Sequence, residues 1–159
     1  MIVGLISDTH IAGEARALPS ALVDRMREVD LILHTGDFIT TDTLDYLRTL
    51  APVYAVFGNV DEPELKAVLP KSREVRVGNF RIGLIHGDGI GHTTIERARR
   101  AFDGIDCIAF GHSHSPVIVT LRSVLMVNPG SPTDKRREPR PSFAILTIED
   151  TIEAEIIYL

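Results

Sequence analysis

Cysteine and tryptophan are almost absent from this chain, which has one of the first and none of the second. With Cys107 alone, no intrachain disulfide can form. Its place in the apolar run Cys107-Ile108-Ala109-Phe110 reads as a small buried hydrophobe in a reducing compartment. An excess of positive charge is missing too: 17 Lys and Arg stand against 22 Asp and Glu, for a net charge of −5. That balance argues against a nucleic-acid polymer as partner but leaves a small phosphate ester open as substrate. No apolar run reaches the roughly 18 residues of a membrane span, and 117–127 is broken by Thr120, Arg122 and Ser123. The N-terminus lacks the basic segment and small-residue cleavage site of a secretory leader. The expected location is therefore cytoplasmic. Repeats and Gly/Ser linkers are lacking as well, so the 159 residues are read as one domain, 1–159.

Among the elements present, a βαβαβ unit comes first. Strand 2–7 leads to a helix over 18–29 with Leu18, Leu22, Met26 and Val29 at helical spacing and Ser20 as cap. Strand 31–35 follows, then a helix capped by Thr41 or Asp42 that ends before Pro52, then strand 53–57. Right-handed crossovers make these three strands parallel. Residues 74–77 and 80–85 form a hairpin around the tight pair Gly78-Asn79. A basic helix over 93–102 starts at Thr93 or Thr94 with Glu96 near its positive end. Strand 106–110 precedes four more strands at 117–120, 123–127, 142–148 and 152–158. Two β-rich halves with helices outside imply an α/β fold of two packed mixed β-sheets flanked by helices. An edge strand near the C-terminus would allow a homo-oligomer. Residues 132–141 are loop-like, and Lys135, Arg136, Arg137 and Arg140 there read chiefly as a solvated face, with phosphate contact as the alternative.

Seven metal-capable residues sit in five clusters, nearly all directly after apolar runs: Asp8 with His10, Asp37, Asn59, His86, and His112 with His114. In open α/β sheets, ligands collect beyond the carboxyl ends of strands, so one sheet rim could deliver all of them. Each cluster alone is weak, because Asp, Asn and His are common in turns. Five in order at strand ends are hard to obtain by chance. Seven nitrogen and oxygen donors exceed one tetrahedral site and suit two ions sharing a carboxylate. Asp37 is the natural bridge, and Gly36 before it lets the chain bend sharply. Asp61 and His34 are read as supports that hydrogen-bond the ligand residues, and His92 as surface or cap. Residues 12–17 could border the pocket. Arg97, Arg99 and Arg100 read as a solvated helix face, and Ser131 as a structural turn.

Asp8-Thr-His10, Gly36-Asp37, Gly58-Asn-Val-Asp61, His86-Gly87 and Gly111-His-Ser-His114, in this order and with Asn128-Pro-Gly-Ser131, resemble the calcineurin-like metallophosphoesterases. Across the whole length the chain resembles their small YfcE-type phosphodiesterase branch. The resemblance implies a four-layer αββα sandwich, the metallo-dependent phosphatase fold. It also implies two divalent transition-metal ions, with Mn²⁺ the first to try and Fe, Zn, Ni or Co as alternatives. Asp8, His10, Asp37 and His114 would hold one ion. Asp37, Asn59, His86 and His112 would hold the other, and Asp37, Asn59 and His86 are the catalytic candidates. The implied activity is hydrolysis of a small phosphate diester by in-line attack of a metal-bridging hydroxide. Many members carry a histidine between the Asn and Asp of the third motif to assist the leaving group; this chain has Val60 there. The retromer vacuolar-sorting subunit shares the architecture, so a protein-binding scaffold is the rival reading, with phosphomonoesterase as another.

Overall fold

The computed structural model describes residues 1–12 and 18–159. In chain order it contains β1 (Ile2–Ile6), α1 (Ser20–Met26), β2 (Leu31–His34), α2 (Thr41–Arg48), β3 (Val53–Ala55), α3 (Pro63–Val68) and β4 (Ser72–Val77). Then come β5 (Phe80–Ile85), α4 (Thr94–Arg100), β6 (Cys107–Ala109), β7 (Val117–Leu121), β8 (Val124–Asn128), β9 (Ser142–Ile148) and β10 (Ile152–Tyr158). Two five-stranded mixed sheets result, in the orders β10-β9-β1-β2-β3 and β4-β5-β6-β8-β7. The expected parallel β1, β2 and β3 are present, with Val3 opposite Leu31 and Ile32 opposite Val53. In the second sheet β5, β6 and β8 are parallel, while β4 and β7 run antiparallel at the edges.

Side-chain alternation decides the layering. Val3, Leu5, Leu31 and Leu33 of the first sheet meet Val75, Ile82, Leu84, Cys107 and Val127 of the second in one buried cluster. The intervening residues Ile6 and Ile32 face outward to Leu22, Met26, Leu44, Leu47 and Leu65 of α1, α2 and α3. On the far side Ile108 and Met126 pack with Ala98 of α4. The order is therefore helix, sheet, sheet, helix, the four-layer αββα sandwich. Central strands buried on both faces need apolar residues at consecutive positions, which is why they stand out as runs rather than alternations.

Several boundaries differ from expectation. Leu18 and Val29 are buried but outside α1; Pro19 takes the cap position, and Ser20 becomes the first helical residue. The cap of α2 is Thr40, which makes no side-chain cap bond. Helix α3 was not foreseen: with six residues and one buried side chain, Leu65, it is too short for periodicity, and Pro63 in its first turn is its only signal. The sheets also do not divide the chain into halves. β9 and β10 return to the first sheet, Leu146 lying opposite Val3 of β1. The hairpin through Gly78-Asn79 and the Thr93–Glu96 capping box are as expected. Among the described residues no helix is long and apolar enough to cross a membrane.

Candidate metal centre

Past the end of β1 the chain stays bonded to the segment after β2. Asp8, His10 and Ile11 donate their amides to the carbonyls of Gly36 (3.0 Å), Asp37 (3.0 Å) and Phe38 (3.1 Å). Asp8 and His10 are thereby laid along Asp37. Gly36 has φ +98°, as the sharp bend anticipated from the sequence requires. Five of the seven candidate ligands are themselves left-handed: Asp8 (φ 54°), His10 (45°), Asp37 (60°), His112 (67°) and His114 (59°). Asp8-Thr9-His10 and His112-Ser113-His114 are each left-handed at both flanking residues. Such backbone costs on the order of 1 kcal/mol or more per residue and persists where surrounding contacts impose it.

Two groups of donors result. Asp8, His10 and His114 bring one ligand atom each to within 4.8 Å of one another, as do Asp37, His86 and His112. Asp37 Oδ2 reaches toward both, 3.1 Å from His86 Nε2 and 3.5 Å from His10 Nε2. Asn59 is exposed: its carbonyl accepts a bond from Lys66 Nζ (3.0 Å), and its amide has no hydrogen-bond partner among the described residues.

The polar groups around these donors are paired with care. Asp8 Oδ2 accepts bonds from Ser7 Oγ (2.5 Å) and the His112 amide (3.0 Å). His86 Nδ1 donates to the Thr35 carbonyl (2.8 Å) and His114 Nδ1 to that of Asp134 (2.5 Å). With the proton on Nδ1, each Nε2 presents a lone pair. Yet Asp8 Oδ1, His10 Nε2, His86 Nε2 and His114 Nε2 are buried without a hydrogen-bond partner. Unpartnered buried polar atoms are costly, and here they converge. An oxygen and nitrogen donor set with its supports satisfied and its free atoms aimed at one another fits divalent transition metals.

The electrostatics agree. Burial alone would raise the Asp8 carboxyl, but His10 and His114 outweigh it and hold the group well below the usual carboxylate range. Asp37 is likewise lowered, its burial outweighed by His86 and the Val60 amide. Burial works to lower His86 and His114, but Asp37 and Asp8 respectively overcome it and raise them. His112 is lowered, by burial first and then by the charge of His86. The field that draws protons onto two buried histidines would draw a cation equally well.

Asp61 and His34, the two residues read as supports, lie beside the candidate ligands. The Asp61 carboxylate accepts amides from Gly58 (2.7 Å), Ile39 (2.8 Å) and Asp37 (3.1 Å), tying the loops after β2 and β3 together. His34 accepts the Gly36 amide on Nδ1 (3.1 Å), turns Nε2 to Thr9 Oγ1 (3.3 Å) and stacks on Phe38. Its burial pushes it down to about 3, so it is neutral. Ser131 is a structural turn as expected, its Oγ donating to the Asp8 carbonyl (2.7 Å). His92 is exposed.

Other contributors were missed. Arg97 is not merely solvated: its guanidinium donates to the carbonyls of Gly87 (2.8 Å), Gly91 (2.9 Å) and His92 (2.6 Å), clamping the loop after His86. Ser7, Thr35 and Asp134 act through a hydroxyl or backbone carbonyl and leave no pattern in residue type. Gly111, part of the Gly111-His-Ser-His114 motif read from the sequence, has no room for a side chain: a Cβ there would overlap Ser7 Oγ and the Asp8 carboxylate. Of residues 12–17, proposed to border the pocket, 13–17 lie outside the described residues.

Comparison with known proteins gives a consistent picture. Residues 1–151 match the calcineurin-like phosphoesterase superfamily domain. A probable metallophosphoesterase of Methanothermobacter thermautotrophicus is 42% identical over 160 residues, covering 99% of this chain and 92% of that protein. Wild-type Vps29 from Entamoeba histolytica, in complex with Zn²⁺, is similar with a TM-score of 0.76 and 28% identity over 99% of each chain. A structure described as a novel archaeal phosphodiesterase shares the fold over 100% of both chains, with a TM-score of 0.81 at 22% identity.

Proposed function

We propose that the chain, which belongs to the calcineurin-like phosphoesterase superfamily, is a metal-dependent phosphoesterase that hydrolyses a small phosphate diester at a dinuclear centre. The observation that carries the reading is the set of four buried, unpartnered donor atoms on Asp8, His10, His86 and His114. Asp8, His10, Asp37 and His114 would hold one ion, and Asp37, Asn59, His86 and His112 the other, with Asp37 shared. When bound, the pair supplies Lewis-acid charge to a phosphoryl group and makes water nucleophilic at neutral pH.

The chain's own residues set the conditions for that chemistry. Thr35 and Asp134 fix the tautomers of His86 and His114 through their carbonyls. The Asp8 and Asp37 carboxylates stay ionised, so the donors keep their charge. With water as the attacking group no side-chain nucleophile is required, and Ser131 Oγ is engaged with the Asp8 carbonyl. Val60 is 44% exposed and its amide bonds Asp37 Oδ1, so its side chain stands at the rim with no proton to give. The departing oxygen would then need a proton from water or direct stabilisation by metal, which favours esters with weakly basic leaving groups.

Nitrogen and oxygen donors in this mixture suit Mn²⁺, Fe²⁺, Zn²⁺, Co²⁺ or Ni²⁺ alike, and the resemblance to the YfcE-type phosphodiesterases makes Mn²⁺ the first to try. The whole chain is read as a single domain. Cys107, buried with its thiol pushed up to about 12, fits a cytoplasmic setting, and β10 offers an edge for a homo-oligomer. The test is turnover of bis(p-nitrophenyl) phosphate by chelator-stripped protein given back Mn²⁺, with p-nitrophenyl phosphate alongside and metal content measured. Metal-dependent release from the diester in preference to the monoester is expected. The similarity to Vps29 favours one alternative, a protein-binding scaffold on the same fold. Two bound ions with no turnover under any of the five metals would establish it over the hydrolase.

A further inference from the structure

The basic turn at residues 134–138 is fastened to the histidine turn at several points. The Asp134 carbonyl accepts His114 Nδ1, and Arg136 donates to the His112 carbonyl (3.3 Å). The turn closes on itself through the Glu138 amide to the Lys135 carbonyl (2.9 Å) and Lys135 Nζ to the Glu138 carbonyl (2.8 Å). Between the two turns lies a depression of ≈ 450 Å³ lined by Ser113, Ser115, Lys135, Arg136, Arg137 and Glu138.

Three cations line this space against one carboxylate, and that carboxylate is already occupied by Ser115 Oγ (2.6 Å). Arg136 is partly drawn to Asp134 (3.9 Å). Arg137 makes no hydrogen bond or ion pair among the described residues. Arg140 does not belong to the group: it donates to the carbonyls of Leu159 (3.0 Å) and Tyr158 (3.1 Å). A merely solvated face would scatter its charges around the loop. Here they wall a cavity, in a chain whose net charge is −5. Ser113 stands between His112 and His114, so the cavity borders the turn that carries two candidate ligands, although none of the seven lines it. A nucleic-acid polymer would need a basic stripe running well past this single turn.

We propose that this depression is a subsite for a second anionic group, so that the natural substrate is a phosphate ester carrying a further phosphate or comparable anion beside the bond that is cleaved. The proposal rests on the phosphodiesterase reading. Arg137, with a guanidinium free to bind bidentately, is its main contact and Lys135 its second. Both determine which ester is taken and neither touches the reacting atoms.

The test uses two esters with the same scissile bond and leaving group: the p-nitrophenyl ester of thymidine 5′-phosphate and its 3′-phosphorylated counterpart. With Mn²⁺-loaded protein, the 3′-phosphorylated ester should show a KM lower by about tenfold, the worth of one charge-assisted contact. Arg137→Ala should bring the KM ratio of the two esters close to one, Arg137→Lys should restore part of it, and Lys135→Ala should reduce it less. Calorimetric binding of thymidine 3′,5′-bisphosphate to the same proteins reads the subsite without catalysis, and Arg137→Ala should weaken it by a similar factor. Equal KM values for the two esters in the wild type, or a ratio that survives Arg137→Ala, would overturn the subsite while leaving the hydrolase intact. No turnover of either ester, with bisphosphate binding that still depends on Arg137, would overturn the hydrolase and leave the anion site.

Discussion

The rims of the two sheets bring unlike chemistry to the same place. The first sheet supplies both carboxylates, Asp8 and Asp37, together with His10 and Asn59. The second supplies imidazoles only, from His86, His112 and His114. Each donor group draws on both: Asp8 and His10 meet His114, and Asp37 meets His86 and His112. One sheet therefore has the carboxylates and the other most of the imidazoles, and each group is completed only across the boundary. The bonds that weld the rims cross the same boundary, from the His112 amide to Asp8 (3.0 Å) and from His86 to the Thr35 carbonyl (2.8 Å). Packing of the inter-sheet core and assembly of the site are thus a single event.

Removing the group that serves both sheets should break this arrangement most. Asp37→Ala takes away the one carboxylate within reach of His10 and His86, and turnover should fall about a hundred- to a thousandfold. Metal content measured on the same sample should drop with it; under the proposed dinuclear reading, a variant that keeps its full metal content and turnover would show that Asp37 is not shared.

A smaller break comes from prying the rims apart. In Gly111→Ala the new Cβ overlaps Ser7 and Asp8 across the sheet boundary, which should cost about 1–3 kcal/mol in urea unfolding and weaken metal binding in parallel. Loss of stability with unaltered metal affinity would separate the two events joined above.

Asp61→Asn perturbs the first sheet's side only. It exchanges a charged acceptor of three amides for a neutral amide, and should lower metal affinity about 10- to 100-fold by loosening Asp37, with the fold retained. A chelator competition titration reads this directly.

The gentlest probe is pH, and it also addresses the first sheet alone. His34 is held at about 3 in the folded chain against an ordinary value of 6.5, so the unfolded chain binds its proton first. Its contribution to stability is intact above pH 6.5 and is lost as pH falls toward 3, with a slope of up to about 1.4 kcal/mol per pH unit. In metal-free protein, His34→Gln should show a shallower acid slope than wild type between pH 4 and 6. Equal slopes would mean that His34 is not held neutral.

Legibility followed the length and chemistry of each signal. Strands buried on both faces showed as apolar runs, and the six His and Asp candidates beyond them fall into the two groups the structure forms, with Asn59 exposed. The Gly78-Asn79 turn and the Thr93–Glu96 box were readable because their chemistry is local. Helix α3 was not, being too short to develop a period. Arg97 looked solvated because sequence does not reveal that three carbonyls of a preceding loop converge on its guanidinium. Asp134 and Thr35 were invisible for a similar reason: they act through backbone oxygens that every residue possesses.

The sequence alone was enough to determine the apolar runs of the strands, the candidate donor residues and the order in which they occur, because these rest on local propensity and residue type. Only the tertiary structure decided that β9 and β10 return to the first sheet, which rims meet, and how donors 104 residues apart, such as Asp8 and His112, come within a hydrogen bond of each other. Those outcomes depend on which apolar faces find one another in the core, and no local pattern contains that information.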